Sequence, residues 1–236
     1  MRMNKRIYLS FLACLLVLPA LAQKEKVKNQ PYGDQRLYHF GITVGLNVQD
    51  MILTHSGRIT SEGETWFSEI PDYSLGFNAG LLADLYLNPF MNLRFVPTIH
   101  FGDKQFTFKE ENTGKMFKTV ARSNYLTFPV DVKFSSMRIN NYRPYILTGI
   151  YAALDLGIQK NEPVLLKLID YGVQFGVGCD FYLPIVKICP EIRFYFGLTD
   201  LMEKDRSDLQ DKDLWKYPGA ISKGISRMVV LTFNFE

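Results

Sequence analysis

The sequence predicts an all-β fold, an eight-stranded antiparallel up-and-down transmembrane β-barrel, and three observations carry that prediction. Segments that alternate apolar and polar residues recur about eight times. The connections between them alternate short and long. The polar rows hold Gly, Asn, Asp and Tyr, where a water-facing surface would hold Lys, Glu and Thr.

The chain opens on Arg2, Lys5 and Arg6, followed by an apolar run from Ile7 to Leu18 and the small-x-small triplet Ala20-Leu21-Ala22. This is the form of a secretory signal peptide over residues 1–22, cleaved near Ala22. The run is too short to span a bilayer comfortably as a helix. Removing it takes the 27 basic residues to 24, equal to the 24 acidic ones, so nothing in the remaining charge points to nucleic acid. Residues 23–38 are polar and aperiodic and predict an exposed periplasmic lead-in. Residues 39–236 form the barrel domain. No later apolar run is long enough for a membrane helix, so this chain crosses a membrane as strands or not at all.

The predicted strands are 39–48, 73–87, 91–102, 124–134, 145–156, 170–183, 186–199 and 226–235. In the first, Phe40, Ile42, Val44 and Leu46 oppose Gly41, Gly45 and Asn47. In the second, Gly76, Asn78, Gly80 and Asp84 make the polar row, and Gly149, Tyr151 and Asp155 make that of the fifth. Residues 88–90, 135–142 and 184–185 are short connections. Residues 49–72, 103–123, 157–169 and 200–225 are long ones, which a barrel in an outer membrane sends to the outside.

Register can be tested by parity. A two-residue loop at Pro184-Ile185 pairs Leu183 with Val186, Phe181 with Ile188, Asp180 with Cys189 and Phe175 with Phe194, so like faces like. A three-residue loop at 88–90 pairs Leu85 with Leu93 and Asp84 with Arg94. Pro97, Pro129 and Pro190 sit inside these strands without a ladder donor and predict local bulges.

A soluble barrel also alternates, with its apolar side inward. Small and polar residues on one row suit a crowded lumen, and Phe, Leu, Ile and Val on the other suit lipid. The final strand agrees. Val229, Leu231, Phe233 and Phe235 alternate up to Glu236, which departs from the common barrel ending on an aromatic.

The predicted lumen row is charged: Asp84, Arg94, Asp131, Lys133, Asp155, Asp170, Asp180, Glu191 and Arg193, together with His100 and Lys187. Such a row can line a selective pore or hold a catalytic carboxylate pair. Eight strands enclose little more than their own side chains, so a salt-bridged plug is the reading preferred here. The long loops offer Trp66, Phe67, Phe106, Phe117, Trp215 and Tyr217 for protein contact or for an aromatic girdle at the membrane edge. Residues 103–123 read as a hairpin continuing above the membrane with its tip at Asn112-Thr113-Gly114. His39, His55 and His100 are scattered, and no catalytic, cofactor or metal motif stands out. Cys179 and Cys189 fall on opposite faces, which argues against a disulfide.

The segment YGVQFGVGCDFYLPIVKICPEIRFYFGL, the ending AISKGISRMVVLTFNFE and the opening strand HFGITVGLNVQDM resemble the PorT/SprT proteins of Bacteroidetes. The resemblance runs from His39 to Glu236 and includes the Glu after Phe235. It implies a non-enzymatic outer-membrane barrel of the type IX secretion system, with no catalytic residues and no cofactor. Its partners would be outer-membrane lipid and other components of that system, which exports proteins bearing C-terminal signal domains and in many species supports gliding. Other readings of the residues are a small outer-membrane barrel acting as solute channel or adhesin, and a soluble periplasmic barrel that binds a lipid.

Overall fold

The computed structural model describes residues 27–57, 65–68, 74–111, 114–157, 165–203 and 221–236. The predicted signal segment and Trp215 and Tyr217 lie outside them. The strands are β1 (Tyr38–His55), β2 (Trp66–Ser68), β3 (Leu75–Asn88), β4 (Met91–Phe95), β5 (Thr98–Glu110), β6 (Met116–Ser135), β7 (Tyr142–Asp155), β8 (Ile169–Tyr182), β9 (Lys187–Gly197) and β10 (Ile221–Phe235).

All pair antiparallel with their neighbours. From β6 to β10 each strand pairs with the next, and β10 returns to β1. β1 also pairs with β3, and β4 and β5 lie end to end between β3 and β6. Counting β4 and β5 as one line, and β2 as a short flap on β5, the sheet closes into a ring of eight strands. Closure leaves no free edge in hydrocarbon.

Alternation decides the faces. The outward row of β8 exposes Tyr171, Val173, Phe175 and Val177, while Asp170 and Gln174 beside them are buried. The rows of β1, β7 and β10 divide in the same way, with Phe40 73% and Ile150 65% exposed against 1% for Thr43 and Leu147 and 0% for Asn234. Such an inside-out arrangement is stable only when the outside is lipid. On that face Phe175 stacks on Phe194 with centroids 4.9 Å apart.

The parity pairings hold, except that Asp180 and Cys189 fall in a break of the β8–β9 ladder. Phe181 pairs with Ile188, Phe175 with Phe194, Leu85 with Leu93 and Asp84 with Arg94. The Leu183 amide donates to the Val186 carbonyl at 3.0 Å, closing the two-residue turn.

The predicted bulges at the prolines do not form. Register is unchanged across Pro97, Pro129 and Pro190. The physical reason lies in where their missing N–H groups point. The Pro97 carbonyl accepts from the Leu81 amide, so Pro97 faces β3 and Val96 faces β6. Pro129, in register with Val96, faces back toward it, because the Ser135 amide of the same parity donates to Phe90 on that side. The two missing donors thus fall on either side of one step, Pro97's in the ladder to β3 and Pro129's in the ladder to β6, and only Val96-Pro97 leaves the strand. Pro190 faces β8, where pairing is interrupted between Gly178 and Phe181 and resumes in the same register.

Several strands run further outward than predicted. β1 continues to His55, β5 to Glu110, and β6 begins at Met116. There the inward row becomes apolar, so the period-two contrast that marks a strand in lipid fades. The β5–β6 hairpin closes through Glu110 N–H to the Lys115 carbonyl at 2.9 Å, with Gly114 at φ 68°. The short turns β3–β4, β6–β7 and β8–β9 share the opposite end, which is therefore the periplasmic one.

Candidate functional site: the lumen and its two mouths

The lumen is filled in three layers. The periplasmic half is ionic. Arg94 of β4 is fully buried and donates to three carboxylates: Asp84 at 2.9 Å, Glu236 at 2.9 Å, and Glu191. Glu191 also pairs with Arg193 at 2.6 Å and accepts from the Tyr145 hydroxyl at 2.6 Å. Arg193 reaches Asp131 at 3.2 Å, and the Gln174 amide donates to that same carboxylate. Lys133 holds Asp180 at 2.8 Å and sits 3.9 Å over the Tyr145 ring. Lys187 pairs with Glu236. Each buried charge thereby meets a partner of opposite sign, the condition under which charges survive in a narrow dry space. Gly178 makes the layer possible, because a Cβ there would lie 2.6 Å from the Tyr145 ring.

Seven of the nine predicted lumen charges are in this ion-paired layer: Asp84, Arg94, Asp131, Lys133, Asp180, Glu191 and Arg193. Asp155 and Asp170 stand apart, nearer the outside. Asp155 accepts from the Ser123 hydroxyl at 3.0 Å and from the amides of Asn124 and Gly157. Asp170 accepts from the hydroxyls of Ser226 and Tyr151.

Above the ions lies an aromatic layer of Tyr125, Tyr151 and Tyr195 with Met228 and Val230. Lys104 donates to the Tyr125 hydroxyl at 2.7 Å, and His100 meets Thr127 at 3.1 Å. The space left there is about 20 Å³, room for a water and no more. The outer mouth is closed by an apolar cap of Met51, Phe108, Leu166, Leu201, Met202 and Ile221. Residues from the last two long loops cross over it, with Leu166 bridged to Met202 and the Leu201 amide bonded to the Gly224 carbonyl at 2.9 Å.

The lead-in lies at the other end. Residues 27–37 hydrogen-bond to the periplasmic turns, with Val27, Tyr32 and Leu37 exposed. The Tyr182 hydroxyl donates to Asp34 at 2.5 Å, and Arg143 lies 3.4 Å from that carboxylate. Arg138 donates to the carbonyls of Asn29 and Gln30, and the Asn29 amide to the Asn141 side chain at 2.9 Å.

Among the loop aromatics with described side chains, Phe67 and Phe117 have different neighbours. Phe117, predicted as a contact residue, packs against the apolar cap, 6.5 Å from Phe108. Phe67 meets His55 edge-on at 5.6 Å. Trp66 lies in β2, in register with Glu110, and Phe106 lies within β5.

Sequence reasoning missed Glu236, Tyr145 and Lys104. Glu236 shares parity with the inward Thr232 and Asn234, and Tyr145 shares it with Tyr151, so counting by twos would have found both. Lys104 shares parity with His100 but falls in a segment read as loop. Cys179 and Cys189 are free thiols, and among the described residues no His, Cys, Asp or Glu cluster fits a metal.

A closed antiparallel ring with an apolar exterior and a polar interior is a small transmembrane β-barrel embedded in lipid. The chain belongs to the outer membrane protein beta-barrel domain family, whose model matches residues 21–203, and it is accordingly an outer-membrane protein. Among solved structures it is similar to OprG of Pseudomonas aeruginosa, at 12% identity over 83% of this chain and 93% of that one, with a TM-score of 0.47. It is also similar to Ail, the attachment invasion locus protein of Yersinia pestis, at 13% identity over 83% and 96%, with a TM-score of 0.34. Neisserial surface protein A is similar at 10% identity over 84% and 97%, with a TM-score of 0.42. No curated protein matches the sequence.

Proposed function

We propose that this barrel is a non-enzymatic component of the type IX secretion system, needed for export of proteins with C-terminal signal domains and, in gliding species, for motility. The observation that carries the reading is the filled lumen. Ion pairs, tyrosines and an apolar cap occupy the path from one mouth to the other, so the barrel acts through its rims and not through its interior. The specific machine is suggested by the resemblance of residues 171–198, 39–51 and 220–236 to the PorT/SprT proteins. Its contacts to other components would lie on the periplasmic turns with the lead-in, or on the outer loops.

Deleting the gene tests the reading directly. Cargo with a C-terminal signal domain should accumulate in the periplasm and return to the surface when the intact gene is supplied. Undiminished export in the deletion strain would sink the proposal.

A further inference from the structure

We propose that the periplasmic rim holds one phospholipid of the inner leaflet, its phosphate on Arg36 and its acyl chains against Phe40. This goes beyond the secretion reading and does not depend on it. A groove of about 690 Å³, within the range of small-ligand sites of about 300–1,000 Å³, lies between the lead-in and the β8–β9 turn. Tyr32, Arg36, Tyr38, Phe40 and Ile185 line it.

Two observations choose the occupant. The first is continuity with the membrane. Phe40 and Tyr38 belong to the outward row of β1 that continues as Ile42, Val44 and Leu46, so one wall of the groove is the end of the lipid-facing band. Ile185, 94% exposed at the tip of the facing turn, gives the other wall an apolar edge. A soluble peptide entering here would have to displace lipid from Phe40.

The second is charge. The acids near the groove are already engaged. Glu236 pairs with Arg94 and Lys187, and Asp34, two residues from Arg36, is turned toward Tyr182, Arg143 and Arg138. Arg36 itself is exposed and makes no ion pair with a described residue. A guanidinium at the level of the headgroups, with an apolar wall beside it, matches a phosphodiester joined to acyl chains.

The test uses the full barrel extracted from its own outer membrane in mild detergent, with bound lipid read by native mass spectrometry. Wild type should retain one phospholipid. Arg36→Glu should lower retention roughly tenfold. Phe40→Ser, which leaves the charge and removes the apolar wall, should lower it as well. Lys223→Glu, at the opposite end of β10, should leave it unchanged, and the heat-dependent gel shift should show all three variants folded. Equal retention in wild type and Arg36→Glu would overturn the proposal. So would displacement by excess inorganic phosphate, or loss in Arg36→Glu alone with Phe40→Ser unaffected, either of which marks a plain anion site. A bound mass that proves to be a peptide would overturn it too.

Discussion

Arg94 of β4 and Glu191 of β9 meet across the lumen, on strands separated by three others on one side of the ring. Their contact ties opposite walls together in a way that no backbone ladder does. Around it, Asp84, Glu236 and Arg193 make one connected set, so that the charge on Arg94 is shared among three carboxylates.

Removing that guanidinium should therefore cost far more than a surface ion pair. Arg94→Met strands the buried carboxylates of Asp84, Glu191 and Glu236 and should destabilise the barrel by roughly 3–5 kcal/mol. Urea titration of the folded fraction, followed by gel shift in liposomes, measures it. Arg94→Met combined with Glu191→Gln should cost less than the sum of the two single changes, because the double variant leaves fewer uncompensated charges. Additive costs would show that the pair does not act as a unit.

A lumen filled by ion pairs, tyrosines and an apolar cap should block steady ion flow. In planar bilayers the purified barrel should show no stepwise conductance. Single-channel steps carried by the wild-type protein would mean that the ionic layer or the apolar cap opens.

The lipid-facing row sets a second expectation. Val177 is outward, near mid-strand in β8, and Gln174 is inward. Val177→Arg places a charge in hydrocarbon and should lower stability by roughly 2–4 kcal/mol, the cost of a cation near the bilayer midplane. Leu198→Arg, exposed just past the outer end of β9, should cost at most about 1 kcal/mol. Equal costs at the two positions would contradict the membrane placement.

Phe108 is fully buried in the outer cap. Phe108→Ala should cost roughly 3–5 kcal/mol locally, as a large buried aromatic does. The lipid-embedded strands have their own ladder, so the loss should be confined to the outer hairpin. Protease added to intact cells should cut the variant between β5 and β6 faster than wild type, while the membrane part stays heat-modifiable.

Gly178 is a matter of close approach. A methyl group there collides with Tyr145, whose hydroxyl serves Glu191. Gly178→Ala should destabilise by about 1–3 kcal/mol through overpacking. Combining it with Tyr145→Phe should not relieve the cost, because the clash is with the ring. Combining it with Tyr145→Leu should.

Alternation by twos was enough to place the membrane strands, their facing pairs and their lipid side. That pattern is local, and a slip of one residue would put every Phe of β8 into the lumen and every charge into lipid. Hence Asp84 opposite Arg94, and Phe175 opposite Phe194, were legible in the sequence. So was the inward direction of the charges from Asp131 to Arg193. Parity says which way a side chain points but not how far along the barrel axis its neighbours lie. Which acid meets Arg94, the separation of Asp155 and Asp170 from the ion pairs, and the reach of Glu236 to a strand far away in the chain were decided by closure of the ring. The outer cap and the docked lead-in were decided there too. Phe117 and Asp34 sit in stretches with no period, and only the mouth that closure creates gave them something to pack against. The prolines show the same division. Their lost donors were visible in the sequence, but only the shared register of β3, β4, β5 and β6 puts those of Pro97 and Pro129 on the two sides of one step, Val96-Pro97, beyond which both ladders resume without a bulge.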